Sequence, residues 1–561
     1  MKVMYSYRFA LIIGVLVLLS LLVMFHSNGE DKSSIDETPI GAVVPTPEEK
    51  PIVLVEEQAK YKKASQVGMI KDSPQAGDQN ARILTDVLNV EGGITIDGSY
   101  YIGYVDEFVS NSQIEIIGMD NSKLVFDHNQ SYVLFDPSYL KHLTFRNITF
   151  VNLSTVHPLY LVHHGSQGRK TMTDAVVIED CSFIGEISLY RDRGDTNTNP
   201  NNVDFGIDTF VFNNNTVENT SLSFIVLTDM PLRYVEIGHN DIRNFKYVFF
   251  NAGITNGINF EDEIFESKDY MHIHHNTVIN DDDWWAKEGG GIYHAFVVAE
   301  NVEVLYEFNH VEGLKSDFEV SLYDAYLSSR SVTYSNNTWI NNISFIKDKV
   351  YNNLIKSKGG SVNGIPVDRF YTNNTFIIEE SYAERLGQSK EHLYIYFYDL
   401  TTRADKYVIE NNIIDVYDLR LPKSSDLINQ FKFNNNAVKA KYALGSLVIM
   451  RLTDEALPTI QFNNNVIEIE QAKAHPSGDN EGLRMIGMVD TRTTKTSNQM
   501  IEWIEMKGNK IEAPLTYLLF NTIAKRIDVD DNDINVIGDI FINTVNNDEH
   551  PKLLSIDISK N

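Results

Sequence analysis

The stretch Val211–Val217, VFNNNTV, places three asparagines between apolar residues, and the same arrangement recurs along the chain. Aligning the copies gives an eight-position pattern: apolar, any, apolar, any, any, Asn, any, apolar. An isolated Asn-Asn pair normally marks a loop, but its return in one frame indicates a repeat architecture. The copies are FVFNNNTV, VEIGHNDI, MHIHHNTV, VLYEFNHV, VTYSNNTW, RFYTNNTF, YVIENNII, FKFNNNAV, IQFNNNVI, IEMKGNKI and IDVDDNDI.

The sixth position of the pattern defines a single column of side chains. Its members recur with a mean spacing of about 32 residues, which is typical of stacked repeats. Three upstream copies place Met119, Ile148 and Cys181 in the same position. The asparagines of the column are Asn215, Asn240, Asn276, Asn309, Asn337, Asn374, Asn412, Asn436, Asn465, Asn509, Asn532 and Asn561.

Apolar residues at positions one and three predict a short strand with alternating faces. Each repeat holds a second such strand, for example SFIVLTD and LTYLLFN, and helical periodicity is nearly absent. We therefore expect a coil in which every turn adds one strand to each parallel sheet, with equal positions about 4.8 Å apart. An Asn in each bend then passes its amide to the Asn above and below, and tolerates a left-handed backbone. Cys181 is expected to be a buried small residue where this ladder ends.

The chain from about Gln79 to Asn561 resembles the right-handed parallel β-helix proteins of the pectate-lyase-like superfamily. QNARILTDVLN followed by GGITIDGSYYI is similar to the start of such coils, and the helix would cover the open first turn. Its apolar face consists of Ile83, Leu84, Val87 and Leu88. The resemblance implies an all-β, single-stranded right-handed solenoid of about fifteen turns. The catalytic signatures of the superfamily's polygalacturonases and pectate lyases are absent, so no site residue is carried over.

The amino terminus departs from the repeats. Lys2 and Arg8 precede seventeen residues without a charge, near the lower limit for a membrane-spanning helix. We expect four segments: a cytoplasmic tip (1–8), a transmembrane signal anchor (9–25), a flexible, acidic, proline-containing stalk (26–75) and an extracytoplasmic β-helix domain (76–561). A cleaved signal peptide, giving a secreted protein, is the alternative, although FHSNGEDK offers no A-x-A-like cleavage site.

The net charge limits which partners the chain can bind, and the cysteine count limits its covalent cross-links. A formal net charge of −29 argues against a nucleic-acid partner, because phosphate binding requires clustered Lys and Arg. The same charge disfavours uronate polymers unless a local basic pocket or a bound cation offsets it. Cys181 is the only cysteine, so an intrachain disulfide framework is excluded.

Polar residues follow the second strand of each repeat and would stack into a column along one edge of the coil. Long loops after these strands would form the wall of a groove, and loops on a rigid scaffold commonly carry function. A lyase would take its base and the cation beside a uronate carboxylate from His164, Lys170 and Arg191. A glycosidase would use two carboxylates, for which Asp192 and Asp229 lie in consecutive turns. An exposed ion pair is the structural alternative for Arg191 and Asp192.

Substrate-binding candidates lie mainly in the loop NDDDWWAKEGGGIYH. Trp284 and Trp285 could stack on sugar rings, and Glu288 with the adjacent aspartates could bind sugar hydroxyls or a Ca²⁺ ion. A lid packed on the coil is the alternative role for this loop. Asn251, from the polar column, and His272, from position two of the pattern, complete the set.

Position two of the pattern forms the other outward column, and position five lies in the bend. Glu236 and His272 would be neighbours at position two, and His239 and His275 would stack at position five. Paired His and carboxylate groups can serve as acid and base, although these histidines could also extend the Asn ladder. Metal binding by the segment HIHH is disfavoured, because alternation sends His272 and His274 away from the core while His275 sits in a bend.

These patterns favour a membrane-anchored, extracytoplasmic protein that binds a polysaccharide along a groove. Cleavage by a lyase or glycosidase mechanism is one alternative. The competing class is a non-catalytic, adhesin-type surface protein in which the coil binds a surface glycan or serves as a rigid scaffold. The concentration of polar residues and long loops between His163 and His294 favours a localised site.

Overall fold

The computed structural model divides into two units, Met1–Gln58 and Ala59–Asn561, and the residues it describes belong to the second. It describes residues 60–559 except 165–170, 194–205, 221, 229, 231, 254–269, 281–295, 301–302, 315, 323–330, 342–343, 351–367, 382–394, 397–405, 421–428, 445, 453–458, 474–482, 491–500, 521–523, 537–540 and 544–554. Asn561 and the expected anchor (9–25) lie outside the described residues. Among those described, no helix is long and apolar enough to cross a membrane.

The first sheet runs through the whole described coil, and all its strand pairs are parallel. Neighbouring strands are one turn apart in sequence, as expected for a parallel β-helix. Sixteen strands belong to it within the described residues, close to the fifteen turns expected. They are Gly93–Ile96, Gln113–Gly118, His142–Arg146, Met172–Glu179, Gly206–Asn213, Leu232–Gly238, Tyr270–His274, Glu303–Glu307, Ser331–Ser335, Asp368–Thr372, Lys406–Glu410, Gln430–Asn434, Thr459–Asn463, Ile501–Lys507, Ala524–Asp530 and Ser555–Ser559.

The second sheet follows the first after each bend and is also parallel. Along its path it consists of Ser99–Ile102, Lys123–Phe126, Thr149–Asn152, Ser182–Ile184, Thr216–Thr220, Asp241–Phe245, Thr277–Ile279, His310–Glu312, Thr338–Ile340, Thr375–Ile377, Ile413–Arg420, Ala437–Leu444, Val466–Lys473, Lys510–Ala513 and Asp533–Val536. Ile395–Tyr396 pairs with Ile413–Arg420 beside this path.

The remaining strands form two shorter parallel sheets. The third sheet consists of Tyr132–Phe135, Leu159–His163, Ile187–Arg193, Ile225–Thr228, Phe250–Gly253, Val297–Glu300, Ser316–Leu322 and Ser344–Val350. The fourth consists of Ser446–Leu452, Leu483–Asp490, Leu515–Phe520 and Phe541–Asn543.

A complete turn contains three strands, whereas the sequence pattern predicted two. The extra strand is that of the second sheet, which carries the apolar eighth position of the repeat. In Thr277–Ile279 and Thr338–Ile340 only the middle residue of three is buried, so no alternation is long enough to recognise. Inside the coil, aromatic rings of successive turns stack, as between Trp339 and Phe376 with centroids 4.7 Å apart. The core is therefore continuous along the coil axis.

The first turn is covered by the predicted helix, α1 (Gly77–Glu91), in which Leu84 and Leu88 are fully buried. Packing begins earlier than the expected boundary between residues 75 and 76. Ala64 is fully buried, and its backbone N–H donates to the Thr95 carbonyl at 2.8 Å. Residues from 60 onward thus pack on the coil, within the range 26–75 that was predicted to be a stalk.

Candidate functional site

The site is built on a two-residue bend that, from Asn147 onward, joins the described strands of the first sheet to those of the second. From Asn147 onward, the residue at position five of each described bend has φ between +52° and +63°. Asn, Asp and Gly suit this left-handed conformation because it disfavours other side chains. Position six follows and is buried. Asparagines therefore come in pairs because the first accommodates the bend and the second forms the ladder.

The ladder of position-six side chains is continuous from Asn215 to Asn532. In each step the side-chain Nδ2 donates to Oδ1 of the Asn one turn later, at 2.7–3.2 Å. The backbone N–H of the same Asn donates to that Oδ1 as well, for example from Asn309 to Asn337 at 2.8 Å. Each buried amide within the ladder thus accepts from the earlier Asn and donates to the later one, as the sequence pattern predicted.

The upstream end of the column differs from the predicted alignment at one residue. Cys181 donates its backbone N–H to Asn215 Oδ1 at 2.9 Å, and burial raises the pKa of its thiol to about 12. Ile148 is buried in the same column, as expected. Met119 is 42% exposed, and the buried position belongs to Ser122, whose backbone carbonyl accepts from Thr149 N–H. The placement of Met119 was wrong because this bend is three residues longer.

A polar network lies on the outer face of the first sheet where the ladder begins. Glu236 accepts hydrogen bonds from Tyr234 Oη at 2.8 Å and Asn213 Nδ2 at 2.7 Å. Its carboxylate also lies 3.5 Å from His274 Nε2. One turn further along, His272 Nε2 lies 3.0 Å from Glu307 Oε1. Each His–carboxylate pair therefore joins two neighbouring strands diagonally, two residues out of register.

The His–carboxylate contacts fix the charge of both acids. Hydrogen bonding to His274 lowers the pKa of Glu236 to about 2. Hydrogen bonding to His272 likewise holds the pKa of Glu307 below its usual value. Both carboxylates are consequently ionised at neutral pH. They can accept hydrogen bonds from ligand hydroxyls and orient the imidazoles, while any proton transfer falls to the histidines.

Gly238 makes room for one of these imidazoles. It pairs in register with His274 in the next strand, and a Cβ atom at residue 238 would lie 2.5 Å from the His274 ring. Any larger residue would displace the ring from Glu236. The absence of a side chain at position 238 thus positions His274.

A column of exposed rings runs along the bends beside the polar network. His239 and His275 stack with centroids 4.8 Å apart, as predicted, and Phe308 continues the stack 4.9 Å from His275. Phe308 is 48% exposed and has φ of +54°. Among the described bends from Asn147 onward, the other position-five residues are Asn, Asp, His or Gly. A phenylalanine here is strained, which points to a role other than stability.

The predicted polar column on the third sheet is formed in part. His163 pairs in register with Arg191, Arg191 with Val226, and Val226 with Asn251. Burial and the nearby Arg191 guanidinium lower the pKa of His163. His164 Nε2 lies 3.2 Å from Ser138 Oγ.

Asp192 departs from the prediction that it faces outward with Arg191. It is 2% exposed and pairs in register with the buried Leu227, whereas Arg191 is exposed. Successive side chains of a strand point to opposite faces, so Asp192 faces the core. The expectation of an exposed Arg191–Asp192 pair is wrong for this reason.

Five candidates, Lys170, Asp229, Trp284, Trp285 and Glu288, lie outside the described residues. His272 and Asn251 belong to different sheets, so the structure does not join them through one sheet face. His272 instead contacts Tyr270, His274 and Glu307. The sequence patterns gave no indication of a role for Tyr234, Gly238, Tyr270, Glu307 or Phe308. Position four of the repeat aligns Asn213, Gly238, His274 and Glu307 in consecutive turns, and that column was the available signal.

Comparison with known proteins finds solved structures that are similar to this chain. No family model and no curated protein matches the chain. It is similar to the catalytic unit of a thermostable GH87 α-1,3-glucanase from Streptomyces thermodiastaticus strain HF3-3, with 10% identity over 81% of this chain and 69% of the glucanase chain and a TM-score of 0.25. It is also similar to the surface protein and adhesin PfbA of Streptococcus pneumoniae, with 11% identity over 84% and 99% of the two chains and a TM-score of 0.25.

Proposed function

We propose that this protein binds an extended polysaccharide along the outer face of the first sheet, around His272. The observation that carries the proposal is Phe308, an exposed phenylalanine held in a strained left-handed bend. Its ring extends the stack of His239 and His275, so three flat rings follow the coil axis. Exposed rings of this kind stack on the apolar faces of sugars.

The polar groups beside the rings supply the complementary chemistry. Glu236 and Glu307 are ionised acceptors, and the adjacent tyrosine, asparagine and histidine groups are donors. Burial and the carboxylates nearby raise the pKa of Tyr270 to about 12, so its phenol remains protonated. These groups come from successive strands of one parallel sheet, about 4.8 Å apart, so they follow one line along the coil. This arrangement suits a polymer of hydroxyl-rich units.

The test is retention of the full chain on a panel of neutral, amino and uronate polysaccharides. We expect Phe308→Asn to weaken binding about tenfold and Phe308→Tyr to preserve it. Tyr139→Asn is the matched control, because Tyr139 is another exposed aromatic residue (68%) away from this face. Failure of every polysaccharide to bind, or equal binding by Phe308→Asn, would overturn the proposal.

Cleavage of the polysaccharide is the second candidate, favoured by the two His–carboxylate pairs. A glycosidase needs one protonated carboxyl group as its acid, whereas Glu236 and Glu307 are both ionised. An enzymatic reaction at this face would therefore use His272 or His274 as its acid or base, as in a lyase. Unsaturated products that appear with the wild type and vanish with His272→Gln would support cleavage, while polymer binding without products supports binding alone.

We also propose that residues 9–25 anchor the chain in a membrane with the coil outside the cytoplasm. The support is the uncharged apolar stretch preceded by Lys2 and Arg8. The full chain should remain in the membrane pellet after an alkaline wash, and replacement of Leu16 and Leu19 by Arg should release it. A wild-type chain found in the soluble fraction with an intact amino terminus would contradict anchoring.

A further inference from the structure

Three histidines from two successive turns converge at the edge of the outer face. His274 ends a strand of the first sheet, His275 occupies the following bend, and His239 occupies the equivalent bend one turn earlier. One ring nitrogen from each lies within 4.8 Å of the others. The His239 ring is nearly parallel to that of His275, at 16°, and nearly perpendicular to that of His274, at 86°.

The separation of two of these nitrogens matches a shared metal ion. His274 Nδ1 and His275 Nδ1 are 3.2 Å apart. Two imidazole nitrogens bound to one tetrahedral zinc ion at 2.0–2.1 Å lie roughly 3.3 Å apart. The pair already has the spacing of adjacent ligands, and His239 supplies the third nitrogen.

A carboxylate orients the least exposed histidine of the three. Glu236 Oε1 lies 3.5 Å from His274 Nε2, which holds the proton on that nitrogen and leaves the lone pair on Nδ1, facing His275. Metal-binding histidines commonly direct their second nitrogen to a carboxylate in this way. Gly238 provides the space in which the His274 ring is held. Glu236 thus favours one tautomer of His274, and Gly238 gives the His274 ring a defined position.

We infer that His239, His274 and His275 bind a divalent transition-metal ion of the zinc class, with Glu236 as a positioning residue. Imidazole ligands suit zinc, cobalt, nickel and copper rather than calcium. Three protein ligands leave a fourth position for water or a ligand oxygen. The chain's net charge of −29 favours the approach of a cation. This inference stands on the histidine geometry and does not depend on polysaccharide binding.

The test is titration of the full, metal-free chain with Co²⁺, followed by calorimetry and visible absorption, and then displacement by Zn²⁺. We expect one equivalent to bind with a tetrahedral cobalt spectrum. His239→Asn and His275→Asn should each weaken binding at least tenfold, and Glu236→Gln about 10–100-fold. Asn fills the equivalent bends at Asn214 and Asn336, so these two His variants should fold.

His310→Gln is the matched control, since His310 is a partly exposed histidine that lies 3.5 Å from a carboxylate of Glu312, outside the cluster. It should bind cobalt as the wild type does. Absence of saturable binding would overturn the inference. Binding of one equivalent by both the His239→Asn and the His275→Asn variant would also overturn it. Loss of binding in His272→Gln together with retained binding in His239→Asn would do the same.

Discussion

Each bend assigns two different tasks to adjacent residues. Asn336 has φ of +57° and faces solvent, while Asn337 is 1% exposed and makes four side-chain hydrogen bonds. Neighbouring asparagines in the sequence are therefore not equivalent. The difference lies in burial and hydrogen bonding, because an unsatisfied buried polar group is far more destabilising than an exposed one.

Asn337→Ala should lower the free energy of unfolding by about 3 kcal/mol, because it leaves the buried amide groups of Asn309 and Asn374 with fewer partners. Urea unfolding followed by circular dichroism measures the effect. Asn336→Gly is the matched control and should change stability by less than about 0.5 kcal/mol, because Gly adopts the left-handed conformation freely. Equal losses for the two variants would show that the ladder does not stabilise the coil.

Phe308→Asn should raise the free energy of unfolding by about 1 kcal/mol, because it relieves a left-handed phenylalanine. The reverse change one turn later, Asn336→Phe, should lower it by a similar amount. Both shifts are read from urea midpoints. A less stable Phe308→Asn variant would mean that the ring stack outweighs the backbone strain.

The ladder itself could be predicted from the sequence because one residue type returns at one position. The strained Phe308 could not, since the pattern alone does not separate the left-handed position from the buried one. Asp192 was misplaced for a related reason. Its orientation depends on where alternation begins in Ile187–Arg193, and the polar residues at the end of that strand conceal the phase.

At the scale of strands, the polar network depends on diagonal contacts between three neighbours of the first sheet. Glu236, His274 and Glu307 come from successive strands, and His272 shares the middle strand with His274. Sequence alignment of repeats predicted the neighbours Glu236 and His272 correctly in register. The Glu236 side chain nevertheless contacts His274 and the His272 side chain contacts Glu307, because strand register alone does not fix side-chain direction.

The network should make stability depend on acid. Because the pKa of Glu236 is lower in the folded chain (about 2) than its ordinary value of 4.5, its contribution is fully present above about pH 4.5 and is lost as pH falls toward 2. At pH 7 the wild-type chain should unfold at a higher urea concentration than the Glu236→Gln variant, and this difference in midpoint should be smaller at pH 3. A difference that stays constant or grows on acidification would contradict this assignment.

The capping helix should contribute through one face only. Leu88→Ala should lower the free energy of unfolding by about 2–5 kcal/mol, because Leu88 is fully buried against the first turn. Val90, two residues later on the same helix, is 82% exposed, and Val90→Ala should have almost no effect. Thermal unfolding compares the two. A comparable loss for Val90→Ala would mean that the helix packs differently.

At the scale of the whole molecule, the described coil is a one-dimensional stack in which turns contact their neighbours. Composition and repeat spacing were enough to predict this architecture, because every turn repeats the same physical solution. They were not enough to predict the site. The site arises where several turns depart from the consensus together, at Glu236, His274, Glu307 and Phe308, and one sequence does not distinguish such departures from tolerated variation.

The stack predicts which pairs of substitutions interact. Leu88→Ala and Asn337→Ala lie many turns apart, so their effects on unfolding free energy should add within about 0.5 kcal/mol. Asn337→Ala and Asn374→Ala remove adjacent steps of one ladder. The double variant should therefore lose about 0.5–3 kcal/mol less unfolding free energy than the sum of the two single losses. Double-variant cycles by urea unfolding test both. Strong coupling of the distant pair would contradict nearest-neighbour stacking.

The uniform orientation of the ladder has an electrical consequence. In every amide from Asn215 to Asn509 the oxygen accepts from the earlier turn and one N–H donates to the Asn of the later turn, so the carbonyl dipoles point the same way and add. The buried row of amides therefore has a net dipole along the coil axis, with its negative end toward the helix-capped first turn and its positive end toward the last turns. The two ends of the coil therefore differ in the sign of this dipole as well as in their loops.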